Sequence, residues 1–81
     1  MNDETRELVV HGIYKHYKGD SYIVEAVARH TEDDEDLVIY RGLYKGAPLY
    51  ARPLKMFLDK HDGTNYRFEL QDIESVNDAI K

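Results

Sequence analysis

The sequence predicts a small, mainly β fold: a five-stranded SH3-like barrel with one short helical turn before the last strand and room for a helix at the C-terminus. Three observations lead there. Short runs rich in β-branched and aromatic residues recur between turn signals built on Gly, Asp and Pro. One stretch alone carries helical spacing ahead of the last such run. Finally, 81 residues without cysteine allow one thin core, held by packing rather than by disulfides or Cys-bound zinc. A sheet this small hides its edges best by closing on itself.

Taken in order, residues 1–7 are polar and read as a flexible N-terminus, 8–70 as a single barrel domain, and 71–81 as a tail or short helix. Leu8 to Tyr14, interrupted by Gly12, is the first expected strand. Lys18-Gly19-Asp20 is a turn signal that pairs it with a second strand, Tyr22 to His30. There Tyr22, Val24, Ala26 and Ala28 fall on one uniformly apolar face. Leu37 to Arg41 is a third strand, hairpinned to the second across an acidic tip. The loop from Gly42 to Ala47 has no room for the helix that an OB-like barrel carries at this point, which favours the SH3-like alternative. Pro48 to Arg52 is a short fourth strand that Pro53 must terminate or bend. Pro53 also fits a first helical position, and Leu54, Phe57 and Leu58 then share one face of a single turn. Asp62-Gly63 turns the chain into a fifth strand, Tyr66 to Leu70. Ile73, Val76 and Ile80 are spaced for a short amphipathic helix, or for an end that frays.

The net charge of −5 is concentrated in one place, the run Glu32-Asp33-Asp34-Glu35-Asp36. Like charges repel and cannot be buried unpaired, so this run reads as a solvated loop tip. From Leu37 to Arg67 the balance reverses: Arg41, Lys45, Arg52, Lys55, Lys60 and Arg67 face only Asp59 and Asp62. No apolar run approaches the roughly 20 residues of a membrane span, and Met1-Asn2-Asp3-Glu4 does not resemble a signal peptide, so the expected compartment is the cytoplasm.

Several spaced motifs are similar to those of the family catalogued as domain of unknown function 1653. Tyr14-Lys15-His16-Tyr17-Lys18-Gly19, with Tyr22 and Val24, resembles its opening signature. Ala28-Arg29-His30-Thr31-Glu32 resembles its Ala-Arg-His-Ser-Glu turn, and Val38-Ile39-Tyr40-Arg41 with Leu43-Tyr44 its third strand and loop. Leu49-Tyr50-Ala51-Arg52-Pro53 with Met56-Phe57 matches its Leu-Trp-Val-Arg-Pro and Met-Phe, and Arg67-Phe68 its closing Arg-Phe. The likeness runs from Gly12 to about Leu70. It departs at Tyr50, where Trp is usual, at Tyr66, where Pro is usual, and in the acidity of the tip. The resemblance implies the fold and the important positions but no reaction. It also implies that the two His, two Arg and several Tyr of these signatures belong together.

The residues themselves offer little to catalysis. Ser21 and Ser75 sit in no nucleophile motif, and His16, His30 and Glu32 lack a metal-binding spacing, so no metal or cofactor is expected. His30 oriented by Glu32 is the one acid/base pair worth naming, against a plainer role for His30 in bonding its own turn. What remains is a surface of Tyr and cations: Tyr17, Lys18, His30, Tyr40, Arg41, Tyr44, Tyr50 and Arg52. The arginines can grip a carboxylate or phosphate while the rings pack on an apolar or planar group. The expected function is therefore a non-enzymatic module for a peptide or other anionic group, with protein partners favoured over single-stranded nucleic acid. No membrane partner is expected, and the chain should be a monomer or weak homo-oligomer. A hydrolase-like use of His30 and Glu32 is the third alternative.

Overall fold

The computed structural model describes residues 7–71. The N-terminal segment before Glu7 and the expected C-terminal helix therefore lie outside the described residues. Five strands, β1 (Ile13–His16), β2 (Ser21–Arg29), β3 (Asp36–Gly42), β4 (Leu49–Pro53) and β5 (Phe68–Leu70), form one sheet, with a single short helix, α1 (Leu54–Leu58), between the last two. All pairings are antiparallel and the order is β4-β3-β2-β1-β5.

That sheet is not closed into a barrel: β4 and β5 are its two edges, with no ladder between them. It is nevertheless strongly curled. In a flat sheet four inter-strand steps of about 4.8 Å would hold β4 and β5 roughly 19 Å apart. Yet the Arg52 guanidinium of β4 lies 5.7 Å from the centre of the Phe68 ring of β5, and Tyr40 of β3 meets the same ring at 5.6 Å. The cause is the core itself. Tyr14, Val24, Val38, Tyr40, Phe57 and Phe68 are buried together, and Phe57 of α1 stacks on Phe68 at 4.1 Å while meeting Tyr14 and Tyr40 edge-on, both at 5.2 Å. Several large rings converging on one helical side chain pull the sheet into a concave surface.

The helix forms where the spacing places it, with Phe57 buried and Leu54 and Leu58 packed beside it. Pro53 is its N-cap rather than its first residue, with φ −52° and ψ 137°, so it ends β4 and opens α1 at once. The first strand begins later than expected. Leu8 to Gly12 folds into a turn, with His11 at φ 75° and Gly12 N–H bonded to the Val9 carbonyl. Val9 N–H in turn donates to the hydroxyl of Tyr14, satisfying that buried phenol. Gly12 is required there, because a Cβ would lie 2.9 Å from the Leu70 side chain and 3.0 Å from the Val9 carbonyl oxygen. The fifth strand is shorter than expected as well, Tyr66 making an isolated bridge to Lys60 instead.

The second strand corrects the expected apolar face. Val24 pairs with Tyr40 but Ala26 pairs with Ile39, so Glu25 is an extra residue, a β-bulge. Up to Val24 the even positions face the core; beyond it Val27 shares the side of Val38, and Ala26 and Ala28 are exposed.

Candidate functional site

Register assigns each candidate to a face. Tyr14 opposes Tyr22 and Leu70, His16 opposes Phe68, Tyr40 opposes Val24 and Tyr50, and Val38 opposes Arg52. Residues directly opposite share a face, so His16, Tyr22, Tyr40, Tyr50 and Arg52 all line the concave side. Arg41 opposes Ile23 and Leu49 and is on the convex side, where its guanidinium is bonded to the Glu25 carboxylate by Nε at 2.8 Å and by a second nitrogen. Ile23 opposes Arg41 directly, and Glu25, two residues further on, reaches it from the same side. Arg41 is thus removed from the expected site.

His30 is removed as well. It follows β2, donates its N–H to the Glu35 carbonyl, and accepts the Asp34 N–H on its own carbonyl. Its Nδ1 accepts the Glu32 N–H at 3.1 Å and lies 3.2 Å from Asp33. The Glu32 carboxylate does not orient it. Arg29 binds Asp34 and Asp36, each at 3.0 Å, so part of the acidic tip is neutralised within the hairpin. Among the described residues, no group of three or more His, Cys, Asp or Glu could hold a metal ion, and no helix is long and apolar enough to cross a membrane.

What the described residues place on the concave side is an aromatic cluster around Arg52. Tyr40 is only 5 % exposed, and its hydroxyl accepts Arg52 Nε at 3.2 Å. Tyr50 meets the Tyr40 and Tyr22 rings at 5.6 and 6.5 Å and stays 42 % exposed. Tyr44 shares a hydrogen bond with the Tyr50 hydroxyl, which raises its own pKa, and its ring lies over Gly42, where a Cβ would come within 2.4 Å of it. Burial, then Asp20 and the neighbouring phenols, push the Tyr22 hydroxyl up too, so Tyr22 and Tyr44 both stay neutral at physiological pH.

Of the four arginines in the described residues, Arg29, Arg41 and Arg67 are each paired with a carboxylate. Arg52 has a phenol and an aromatic face instead, and no carboxylate among the described residues. A charged group held this way keeps unused donors for an incoming anion.

His16 borders this cluster, a place that the family resemblance implies but that the surface read from residue types leaves out. The β1–β2 turn, closed by Gly19 at φ 115°, lets its Nδ1 accept the Lys18 N–H at 3.1 Å. Its ring meets Phe68 edge-on at 4.9 Å and stacks on Tyr17 at 4.5 Å. Burial first, and then Arg52, Lys18 and Arg67, lower its pKa, with Asp20 opposing. Three cations and one carboxylate thus act on His16. Tyr17, with Lys18 over its ring at 5.9 Å, stacks in parallel on His61 at 3.8 Å. An adjacent groove of about 450 Å³ is lined by Lys15, His16, Tyr17, His61, Tyr66 and Glu69. Tyr17 thus packs against two imidazoles at the edge of this groove and stays 47 % exposed.

Comparison with known proteins gives a consistent result. The family model described as "Protein of unknown function (DUF1653)" matches residues 12–70. A crystal structure of a protein belonging to DUF1653 from Bordetella bronchiseptica is similar, at 34% identity and a TM-score of 0.60, over 84% of this chain and 90% of that one. No curated protein matches.

Proposed function

The chain belongs to the DUF1653 family, whose description assigns no activity, and from that premise we propose that it is a non-enzymatic module that recognises an anionic group on its concave surface. Arg52, which has no carboxylate partner among the described residues, carries this reading. Its guanidinium, bonded to Tyr40 and resting on Phe68, is oriented before any ligand arrives, so little side-chain entropy is lost on binding. Tyr44 and Tyr50 supply exposed aromatic surface, with Tyr22 and His16 behind them. Lys18 adds positive charge at the rim. The architecture we assign to this module is an SH3-like barrel left open between β4 and β5, the gap that Arg52 and Phe68 span with side chains alone.

Amide chemical shifts followed during titration with a pool of acidic peptides, and separately with a random single-stranded oligonucleotide pool, test the reading. Acidic peptides should shift His16, Tyr22, Tyr44, Tyr50 and Arg52, and the response should vanish in Arg52→Ala but persist in Arg41→Ala. Shifts that survive Arg52→Ala, or no shifts at all, overturn it. A stronger and steeply salt-dependent response to the oligonucleotides would instead make single-stranded nucleic acid the ligand.

A further inference from the structure

We infer that the ligand of the Arg52 surface is an extended peptide that adds to the sheet as a strand along β4, an edge that no strand among the described residues covers; the inference rests on the anion-binding reading above. The two edges of the sheet differ in how they are protected. β5 is three residues long with Glu69 at its centre, a short and charged edge that discourages pairing. β4 is five residues long, and its first three, Leu49, Tyr50 and Ala51, are exposed and uncharged.

Hydrogen-bond parity fixes which backbone groups β4 offers. Leu43 N–H donates to the Ser21 carbonyl, so residues 43 and, by alternation, 41 and 39 direct their backbone groups toward β2. Tyr40 and Val38 then bond Tyr50 and Arg52. Leu49 and Ala51 are left with N–H and C=O pointing away from the sheet. Pro53 falls on the same outward parity, so its missing N–H costs the ladder nothing. The edge thus presents donors and acceptors at two residues spaced for one extended strand.

The side chains next to those groups define the partner. In an antiparallel addition, the peptide residue opposite Ala51 is flanked by one opposite Arg52 and one opposite Tyr50, both over the concave face. Charge complementarity with Arg52 calls for Asp or Glu at the first. The ring of Tyr50 calls for a β-branched or aromatic residue at the second. The partner is therefore an acidic segment in which a carboxylate precedes such a residue by two positions.

The test uses the whole chain and a capped eight-residue peptide, Thr-rich, with Glu two positions before Val, alongside a version with Pro between them and a version with Gln for Glu. Strand addition predicts that the parent peptide slows hydrogen exchange at the Leu49 and Ala51 amides while those of Tyr50 and Arg52, already bonded to β3, are unchanged. Each altered peptide should bind about tenfold more weakly. If Pro is harmless while Gln weakens binding, the anion-binding reading stands and strand addition is wrong. If Pro weakens binding while Gln does not, the edge pairs but Arg52 does not read charge, which overturns the proposal. Binding by neither peptide nor free succinate sinks both readings. Protection of Leu49 and Ala51 that rises with protein concentration alone, together with dimer in sedimentation, would assign the edge to a second copy of the chain.

Discussion

Arg41 and Arg52 lie on neighbouring strands, and the sequence treats them alike, yet they occupy opposite faces of one curved sheet. On the convex face Arg41 is consumed by Glu25, the bulged residue. On the concave face Arg52 leans on Phe68 and a phenol, with no carboxylate partner among the described residues. The difference teaches that a cation becomes available for recognition through the partners its face withholds. Curling draws aromatic rings, not carboxylates, around Arg52.

The curl is the premise of the comparison, so removing its cause should have the largest effect. Phe57 is fully buried against Phe68, Tyr14 and Tyr40, and Phe57→Ala should cost about 3–5 kcal/mol, read from urea denaturation. Ile39→Ala on the convex face, where the side chain is half-buried, should cost about 1–2 kcal/mol. Equal losses would mean that the two faces contribute alike and that α1 does not shape the sheet.

The two arginines can then be separated directly. Arg41→Ala leaves Glu25 without its partner, but both side chains are more than a quarter exposed, so the loss should be at most about 1 kcal/mol. Binding of acidic peptides should not change. Arg52→Ala should change stability little and abolish that binding. The opposite pattern, with Arg41 needed for binding, would place the recognition surface on the convex face.

How far the sequence revealed this follows from particular residues. Turn chemistry was legible: Lys18-Gly19-Asp20 and Pro53 placed the first hairpin and the helix because backbone torsion is a local property. The bulge was not, because Tyr22, Val24, Ala26 and Ala28 alternate without a break, and only pairing with β3 shows that Glu25 is supernumerary. Arg41 and Arg52 part for a separate reason, the β3–β4 register, which sets Val38 opposite Arg52 and Leu49 opposite Arg41 and so puts the two arginines on opposite faces. Residue type and the family resemblance both draw His30 into the same site, although its contacts are confined to its own turn. For His16 only the resemblance points to the cluster, because Phe68, which it meets, is more than 50 residues away in sequence and becomes a neighbour only through the β1–β5 pairing.

A finer test concerns what holds the aromatic rim beside Arg52. Gly42→Ala would drive a Cβ into the Tyr44 ring, and since that ring is 54 % exposed it can swing away. The stability change should be below about 1 kcal/mol. The shared Tyr44–Tyr50 hydrogen bond should break, bringing the Tyr44 hydroxyl back toward the ordinary phenol pKa in a spectrophotometric titration. If the Tyr44 titration is unmoved while peptide binding falls, the rim is held by something other than this contact.

The smallest effect expected is electrostatic and tests whether the concave field is positive at all. The native pKa of His16 is lowered from 6.5 by burial and by Arg52, Lys18 and Arg67. Between that lowered value and 6.5 the unfolded chain binds more protons at this site than the native one, so stability rises with pH across the window. The contribution is complete above 6.5 and is lost as pH falls to the native pKa. His16→Asn keeps an acceptor for the Lys18 N–H and cannot titrate, so its stability should fall less steeply than that of the parent as pH is lowered through this window. Arg52→Ala should move the His16 imidazole titration, followed by NMR, back toward 6.5, whereas Arg41→Ala should leave it in place. An identical His16 midpoint in all three proteins would mean that burial alone sets it, and that Arg52 spends its charge elsewhere.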